Sequence, residues 1–508
     1  MGTFFSRAIL TAVFLTLITS LSAQTPLLPG KIEVSGNTHF EWAVSDTNVS
    51  RYFENWTDLF LSKGAFRLGL RFEAHEPPAS FASQDSVTGF AHRYLEFRKG
   101  GLYVRGGNFY SLLGLGLVLR TFENRTLRWD SNIDGLKVEF RHSLVDLQAI
   151  YGKPRKTRLD ITELGKKNPA SMGIRLPALA GGEVKLKPLS SFSFGGTYVN
   201  TGANASDVTD EHSQRGSLFG ELNLKPGSLY AEYAKSDYPD ASLFGVDGEA
   251  FYASANLFWG ALSLSGEYKY YENFAIDDGL LNNPPTAIKE HLFTLMNRHQ
   301  LIQNADGEEG YFAGLEYPLI QGGVLSLAYC STDNLQGNML YEDLYGQFEW
   351  NEFLGAEWTW AAGRQKDEAA RYYNFVNSTH YAINDAYSLK FVYEHQHARV
   401  SARSDFTERQ YYDQLVTLGL SKAPAWTLSF LGEHSTDQFA ELDQLNPDQT
   451  SKRKHHYWAG GQLDLKLWDR IDLSIFGGTR REGKICIGGV CVVKPELEGA
   501  EVTVIARL

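Results

Sequence analysis

Charge is dense in the first third of this chain, and its spacing suits a wall around water. Arg67, Arg71 and Glu73, then Glu96 and Arg98, then Arg105, sit even numbers of residues apart within short stretches, so extended backbone puts each set on one face. The segment that follows adds Arg120, Glu123, Arg125 and Arg128. Rings of guanidinium and carboxylate groups around a passage set its field and sort ions by sign. The same groups also brace a wall by pairing across it, and the residues alone leave both readings open. If Arg105, Arg120, Arg125 and Arg128 line the narrowest point, the passage prefers anions despite the net charge of −12.

Other reactive constellations are sparser. Asn282–Thr286 lies near Glu290, Arg298 and His299, and Asn283, Pro284, Pro285, Glu290, Arg298 and His299 form a candidate loop site. That segment either folds inward, forms a rim site for a ligand, or simply turns at Pro284-Pro285. Cys486 and Cys491 flank Ile-Gly-Gly-Val and are expected to form a disulfide, because zinc would need two further ligands nearby. Cys330 is left as a small strand residue. His455-His456 and His395-x-His397 lack a convergent carboxylate set and read as strand-end histidines, so no metal site and no cofactor is expected. No G-x-S-x-G elbow, phosphate loop or dinucleotide fingerprint occurs, and the chain is expected not to be an enzyme.

The elements that must position these residues are strands. In Ala261–Tyr271, Leu262, Leu264, Tyr268 and Tyr270 share one parity, and Ser263, Ser265, Glu267 and Lys269 share the other. A charged face cannot lie in a dry core, so the apolar face meets lipid and the polar face meets a wet lumen. The pattern recurs along the chain and predicts a transmembrane antiparallel up-and-down β-barrel of about 24 strands, with a range of about 20 to 26. Within it, Gly355–Arg364, Ala386–His395, Ala398–Phe406 and Tyr411–Ser421 read as consecutive strands. Tight turns such as Lys225-Pro226-Gly227 alternate with long polar stretches such as Lys153–Gly181 and Asn273–Glu309, as short periplasmic turns alternate with long outside loops. Ser111–Leu119, mostly Leu and Gly, either folds inward and narrows the lumen or extends a strand through lipid. Asp277–Asn304 is the only stretch with helical periodicity worth noting.

Arg7, the apolar run Ala8–Leu21 and Ser22-Ala23 read as a signal peptide over residues 1–23, leaving 24–508 as one barrel domain without a separate plug. Export to the outer membrane of a Gram-negative bacterium follows. The mean hydropathy of −0.29 and the lack of a second long apolar run exclude a helical membrane protein. The acidic balance argues against nucleic acid as partner. Expected partners are outer-membrane lipid and a small hydrophilic solute, with the protein monomeric. The last strand alternates Ala500, Val502, Val504, Ala506 and Leu508 with polar residues. It resembles the terminal signal read by barrel-assembly machinery, although that signal usually ends in Phe.

Several segments resemble a family of uncharacterised porin-like outer-membrane β-barrel proteins of Gram-negative bacteria. They are Val104–Tyr110, Gly114–Arg120, Arg125–Arg128, Asn282–Thr286, Asn297-Arg298-His299 and the Cys486–Cys491 loop. The resemblance implies location and fold and supplies no substrate. Two functions remain in view: a porin-like channel for small hydrophilic solutes, or a non-conducting receptor, adhesin or scaffold subunit of a surface or export complex.

Overall fold

The computed structural model describes residues 32–45, 51–76, 87–125, 129–154, 178–202, 213–237, 247–274, 281–282, 284–299, 307–401, 408–437, 456–487 and 490–508. The region read as a signal peptide lies outside them. Twenty-four strands form one antiparallel sheet. Each pairs with its neighbour in the chain, and the first, Glu33–Ser45, pairs with the last, Leu497–Arg507, from Asn37↔Arg507 to Ser45↔Gly499. Closure leaves no free edge, which is the condition for a sheet to stand in hydrocarbon.

Parity sets inside from outside. One row of paired residues runs Ser62↔Arg67↔Glu96↔Arg105↔Lys137, all inward. The opposite parity exposes Leu68, Leu95, Leu136, Leu147 and Val184 around the outer wall. Near the tight turns the outer face carries a belt of stacked rings: Phe348 lies 6.0 Å from Trp360, and Trp360 lies 5.5 Å from Trp358. Aromatic girdles of this kind sit at the membrane–water boundary. An even strand number places both ends of the barrel at the same rim as the tight turns, and every long connection leaves from the other rim.

Two strands differ from the sequence reading. Ala370–Ala382 is a barrel strand that the alternation did not reveal, and Tyr387–Ser401 is one strand where two were read. The two errors offset each other, so the expected number matches for a partly wrong reason. Among the described residues of 277–304, the helical periodicity corresponds to one turn, Thr294–Asn297.

Candidate functional site

The long connections do not all stay outside. Among the described residues, three of them turn into the lumen at the loop rim. The first covers described residues 110–125 and 129–132. Its pairs Leu112↔Arg120 and Leu113↔Leu119 form a short ribbon, tied by the Thr121 amide donating to the Ser111 carbonyl at 2.9 Å. Leu113, Leu117, Val118 and Leu119 are fully buried against Ile133, Ile150, Leu179, Val199, Ala234 and Ala250. Each such side chain contributes about 1.5–3 kcal/mol of burial, so the apolar composition that looks odd for a loop is what holds it in the barrel. At its tip the Gly114 amide donates to Glu183 at 2.7 Å, and the Leu115 amide donates to Glu232 at 3.0 Å. Gly114 has φ +55°, a conformation that favours glycine, and a Cβ there would lie 2.5 Å from the Glu232 carboxylate and force it to shift.

The foot of this loop is a closed ring of charge. Arg71 reaches Asp58 at 2.6 Å and Glu123 at 2.7 Å, while Arg125 reaches the same two carboxylates at 2.9 Å each. Beside it Tyr110 donates to Asp130 Oδ1 at 3.0 Å. Burial, then the charges of Asp130 and Glu123, push the Tyr110 hydroxyl far above its ordinary pKa, so it remains a donor.

The second inward loop covers described residues 281–282 and 284–299. Asn282 donates to the carbonyls of Leu117 at 3.1 Å and Phe274 at 2.7 Å, and the Arg120 amide donates to the Leu281 carbonyl at 2.9 Å, which joins the two loops. Its helical turn has too few residues to bury its own backbone groups, and wall side chains take them. Glu394 accepts from the Leu295 amide at 2.7 Å, Gln396 donates to the Leu295 carbonyl at 2.9 Å, and Gln365 donates to the Met296 carbonyl at 2.6 Å. Phe293 and Met296 pack on Ala361, Val376 and Val392. His291 Nε2 lies 2.6 Å from Asp343.

The third follows Arg480. Arg481 contacts Asp413 at 2.9 Å and Glu433 at 2.8 Å, and Arg298 of the second loop grips Glu433 through both guanidinium nitrogens at 2.7 and 3.2 Å. Two loops thus share one acidic seat on the wall. The hairpin Gly483–Ile487/Val490–Lys494 lies against the helical turn, and Lys494 pairs with Glu501 at 3.1 Å. Its backbone puts Cys486 opposite Cys491, while their side chains lie outside the described residues, as do Arg128 and Asn283.

The residues expected to matter divide. Arg71, Glu73, Glu123 and Arg125 come together at the foot of the first loop. Glu96 and Arg105 pair at 3.0 Å lower down, with Arg105 over the Tyr94 ring at 3.5 Å. Arg67 covers Phe60, Arg98 lies exposed over Tyr103, and Arg120 lies over Phe122. Arg298 is central, His299 stacks on Tyr372 at 4.2 Å, Pro284 is buried, the half-buried Pro285 accepts from Tyr271, and Glu290 is exposed. Asp58, Glu183, Glu232, Asp343, Glu394, Asp413, Glu433 and Arg481 were missed. For the seven carboxylates the one sequence signal is an acidic residue of inward parity on a strand, and Arg481 directly follows a strand's end.

Toward the tight turns the inner wall is polar and wet. Lys185–Glu221 and Lys187–Asp146, both at 2.7 Å, are between a quarter and a third exposed. A cavity of about 320 Å³ lies there, below the tip of the first loop, lined by Glu183, Lys185, Glu221, Asn223 and Tyr230.

The chain belongs to a protein family of unknown function, DUF6029, whose model matches residues 5–341 and 358–508. No curated protein matches the sequence. Among solved structures, the fold is similar to that in an E. coli P pilus tip assembly intermediate, PapC-PapD-PapK-PapG, at 11% identity and TM-score 0.53, covering 95% of this chain and 62% of that one. The PapC usher translocation pore matches at 10% identity and TM-score 0.48 over 93% and 98% of the two chains. Pseudomonas aeruginosa OccK5 matches at 12% identity and TM-score 0.40 over 77% and 99%. These likenesses are of fold, that of outer-membrane β-barrels.

Proposed function

We propose that this member of the family is a gated outer-membrane channel for small hydrophilic solutes, closed in the conformation described. One observation carries the reading: a wet lumen lined by polar side chains ends at a layer of loops, the first seated by apolar burial and the second and third gripped by charged and amide side chains of the wall. A permanent filling would be at least as stable with apolar contacts, since buried ion pairs such as Arg481–Asp413 repay their desolvation poorly. Such contacts are specific, and they can release into water as a unit. After signal-peptide export and insertion by barrel-assembly machinery, the protein would stand in outer-membrane lipid as a monomer. The loop layer also favours a second reading, a non-conducting receptor or scaffold. In that case the loops present a surface and never open.

Planar-bilayer recording separates the two. The intact protein is expected to be quiet, with rare brief openings. Deleting residues 275–304, or making Arg298→Ala together with Arg481→Ala, is expected to give sustained conductance. Variants that keep heat-modifiable gel migration, and so a folded barrel, yet never conduct would overturn the channel in favour of the scaffold.

A further inference from the structure

At the foot of the first inward loop, Glu73, His92 and Asp130 place one donor atom each within 4.8 Å of one another. They come from three segments: Glu73 from strand Phe66–Glu76, His92 from strand Val87–Lys99, and Asp130 from the end of the loop. The hydrogen bonds around them determine what they offer. Asn108 Oδ1 accepts from the Arg93 backbone amide at 2.9 Å, which orients that side chain. Its Nδ2 therefore donates to Asn132 Oδ1 at 2.8 Å. Asn132 Nδ2 must then face His92 Nε2, at 3.2 Å, and Asp130 Oδ1, at 3.0 Å. A donor at that position favours the His92 tautomer in which Nε2 carries no hydrogen and accepts. Yet Nε2 lies 2.9 Å from Asp130 Oδ2, which is also an acceptor.

Asp130 Oδ1 meanwhile accepts from Tyr110, the Asn132 amide and the Asn132 side chain, all at 3.0 Å, so Oδ2 is the oxygen left to turn inward. Glu73 adds a third carboxylate oxygen, with His75 Nε2 3.4 Å from Oε2 and Arg71 3.7 Å from Oε1. In that tautomer, lone pairs from an imidazole and two carboxylates converge on one point. That arrangement calls for a cation.

We propose that Glu73, His92 and Asp130 bind a divalent first-row transition ion of the Zn²⁺ class. An imidazole ligand disfavours Mg²⁺ and Ca²⁺, and carboxylates with one histidine suit Zn²⁺ or its neighbours. Seating an ion at about 2.0–2.2 Å would open the 2.9 Å His92–Asp130 contact and draw in donors that now lie within 4.8 Å, side-chain movements of roughly half an ångström. Tyr110, Asn132 and His75 hold the ligands, as outer partners hold ligands in metal sites generally. Entry is from the lumen, through the Asp130 side chain, which is 24% exposed where His92 is 6%. A bound ion ties the loop's end to two wall strands. The site stands whether or not the barrel conducts.

The test is equilibrium dialysis of the full-length, detergent-solubilised protein against Zn²⁺ after chelator treatment, with metal content read by mass spectrometry. One Zn²⁺ per chain is expected, resisting a hundredfold excess of Mg²⁺ or Ca²⁺. Glu73→Gln, His92→Gln and Asp130→Asn should each weaken binding at least tenfold, and Asn132→Leu about tenfold through lost orientation. Heat-modifiable migration establishes that each variant is folded. Should a variant not fold, Co²⁺ bound to the intact protein should show visible bands of a mixed nitrogen–oxygen site. Failure of the intact protein to retain Zn²⁺, or equal retention by folded ligand variants, overturns the assignment, as does an oxygen-only Co²⁺ spectrum.

Discussion

The two halves of the lumen share one wall and differ in almost everything else. Along strand Ser213–Leu224 the inward residues Ser213, Arg215, Ser217 and Phe219 are buried, whereas Glu221 is half-buried and Asn223 is exposed. Strand Gly248–Trp259 repeats the gradient, from buried Ala250 and Tyr252 to exposed Asn256. Nothing in strand geometry distinguishes the two ends, because side chains alternate identically along the whole length. The difference comes from the loops that cover one end. Charged pairs change meaning with it: Lys187–Asp146 is nearly a third exposed, and Arg481–Asp413 is almost fully buried. In water a pair adds little. In the covered half, loss of one partner strands the other.

The largest effect should come from breaking the covered half at its acidic seat. Asp413→Ala removes a buried partner of Arg481 and a neighbour of Arg298, and should destabilise the protein by about 3–5 kcal/mol. Urea unfolding in lipid vesicles measures it, with faster proteolysis of the 481–497 segment as the local sign. Next is Leu117→Ala, a fully buried truncation under the first loop, expected to cost about 2–5 kcal/mol. Hydrogen exchange should rise across 110–124 and stay unchanged in the strands near the tight turns.

Asn282→Ala sharpens the comparison by separating loop from loop while leaving each on its wall. It leaves the Leu117 carbonyl without this donor and the Phe274 carbonyl with Arg215 alone, at about 1–3 kcal/mol. Coupling between Leu117→Ala and Asn282→Ala in a double-mutant cycle would show that the two loops act as one layer, and strict additivity would show that they do not. The smallest effect belongs to the wet half. Lys187→Ala should change stability by no more than about 1 kcal/mol. A loss as large as that of Asp413→Ala would erase the distinction between the halves.

The gradient also explains where the sequence was hard to read. Strand Ala370–Ala382 escaped because its inner face carries Tyr372 and Val376, which cover the second loop's contacts, so polar and apolar no longer alternate. Strand Tyr387–Ser401 was divided because Glu394-His395-Gln396-His397 is polar on both parities, like a turn. In the fold Glu394 and Gln396 point inward to the helical turn's backbone. Both misreadings fall where a loop has replaced water. Strands whose inner face stays wet, such as Leu262–Glu272 in its turn-side half, kept their alternation and were legible.

The site shows the same division. Inward parity identified Arg71 and Glu73, and the Leu-Gly composition of 111–119 raised the question that burial of Leu113, Leu117 and Leu119 answers in favour of the inward fold. The sequence by itself determined the barrel, its in–out parity and the side from which long loops leave, because each follows from local periodicity and from the demand that backbone groups in lipid be paired. Only the tertiary structure decided that Arg298 and Arg481, 183 positions apart, meet at Glu433, or that Asp130 meets His92. Those contacts join residues across a lumen, and their formation depends on where long loops find complementary surface, which no local pattern of side chains encodes.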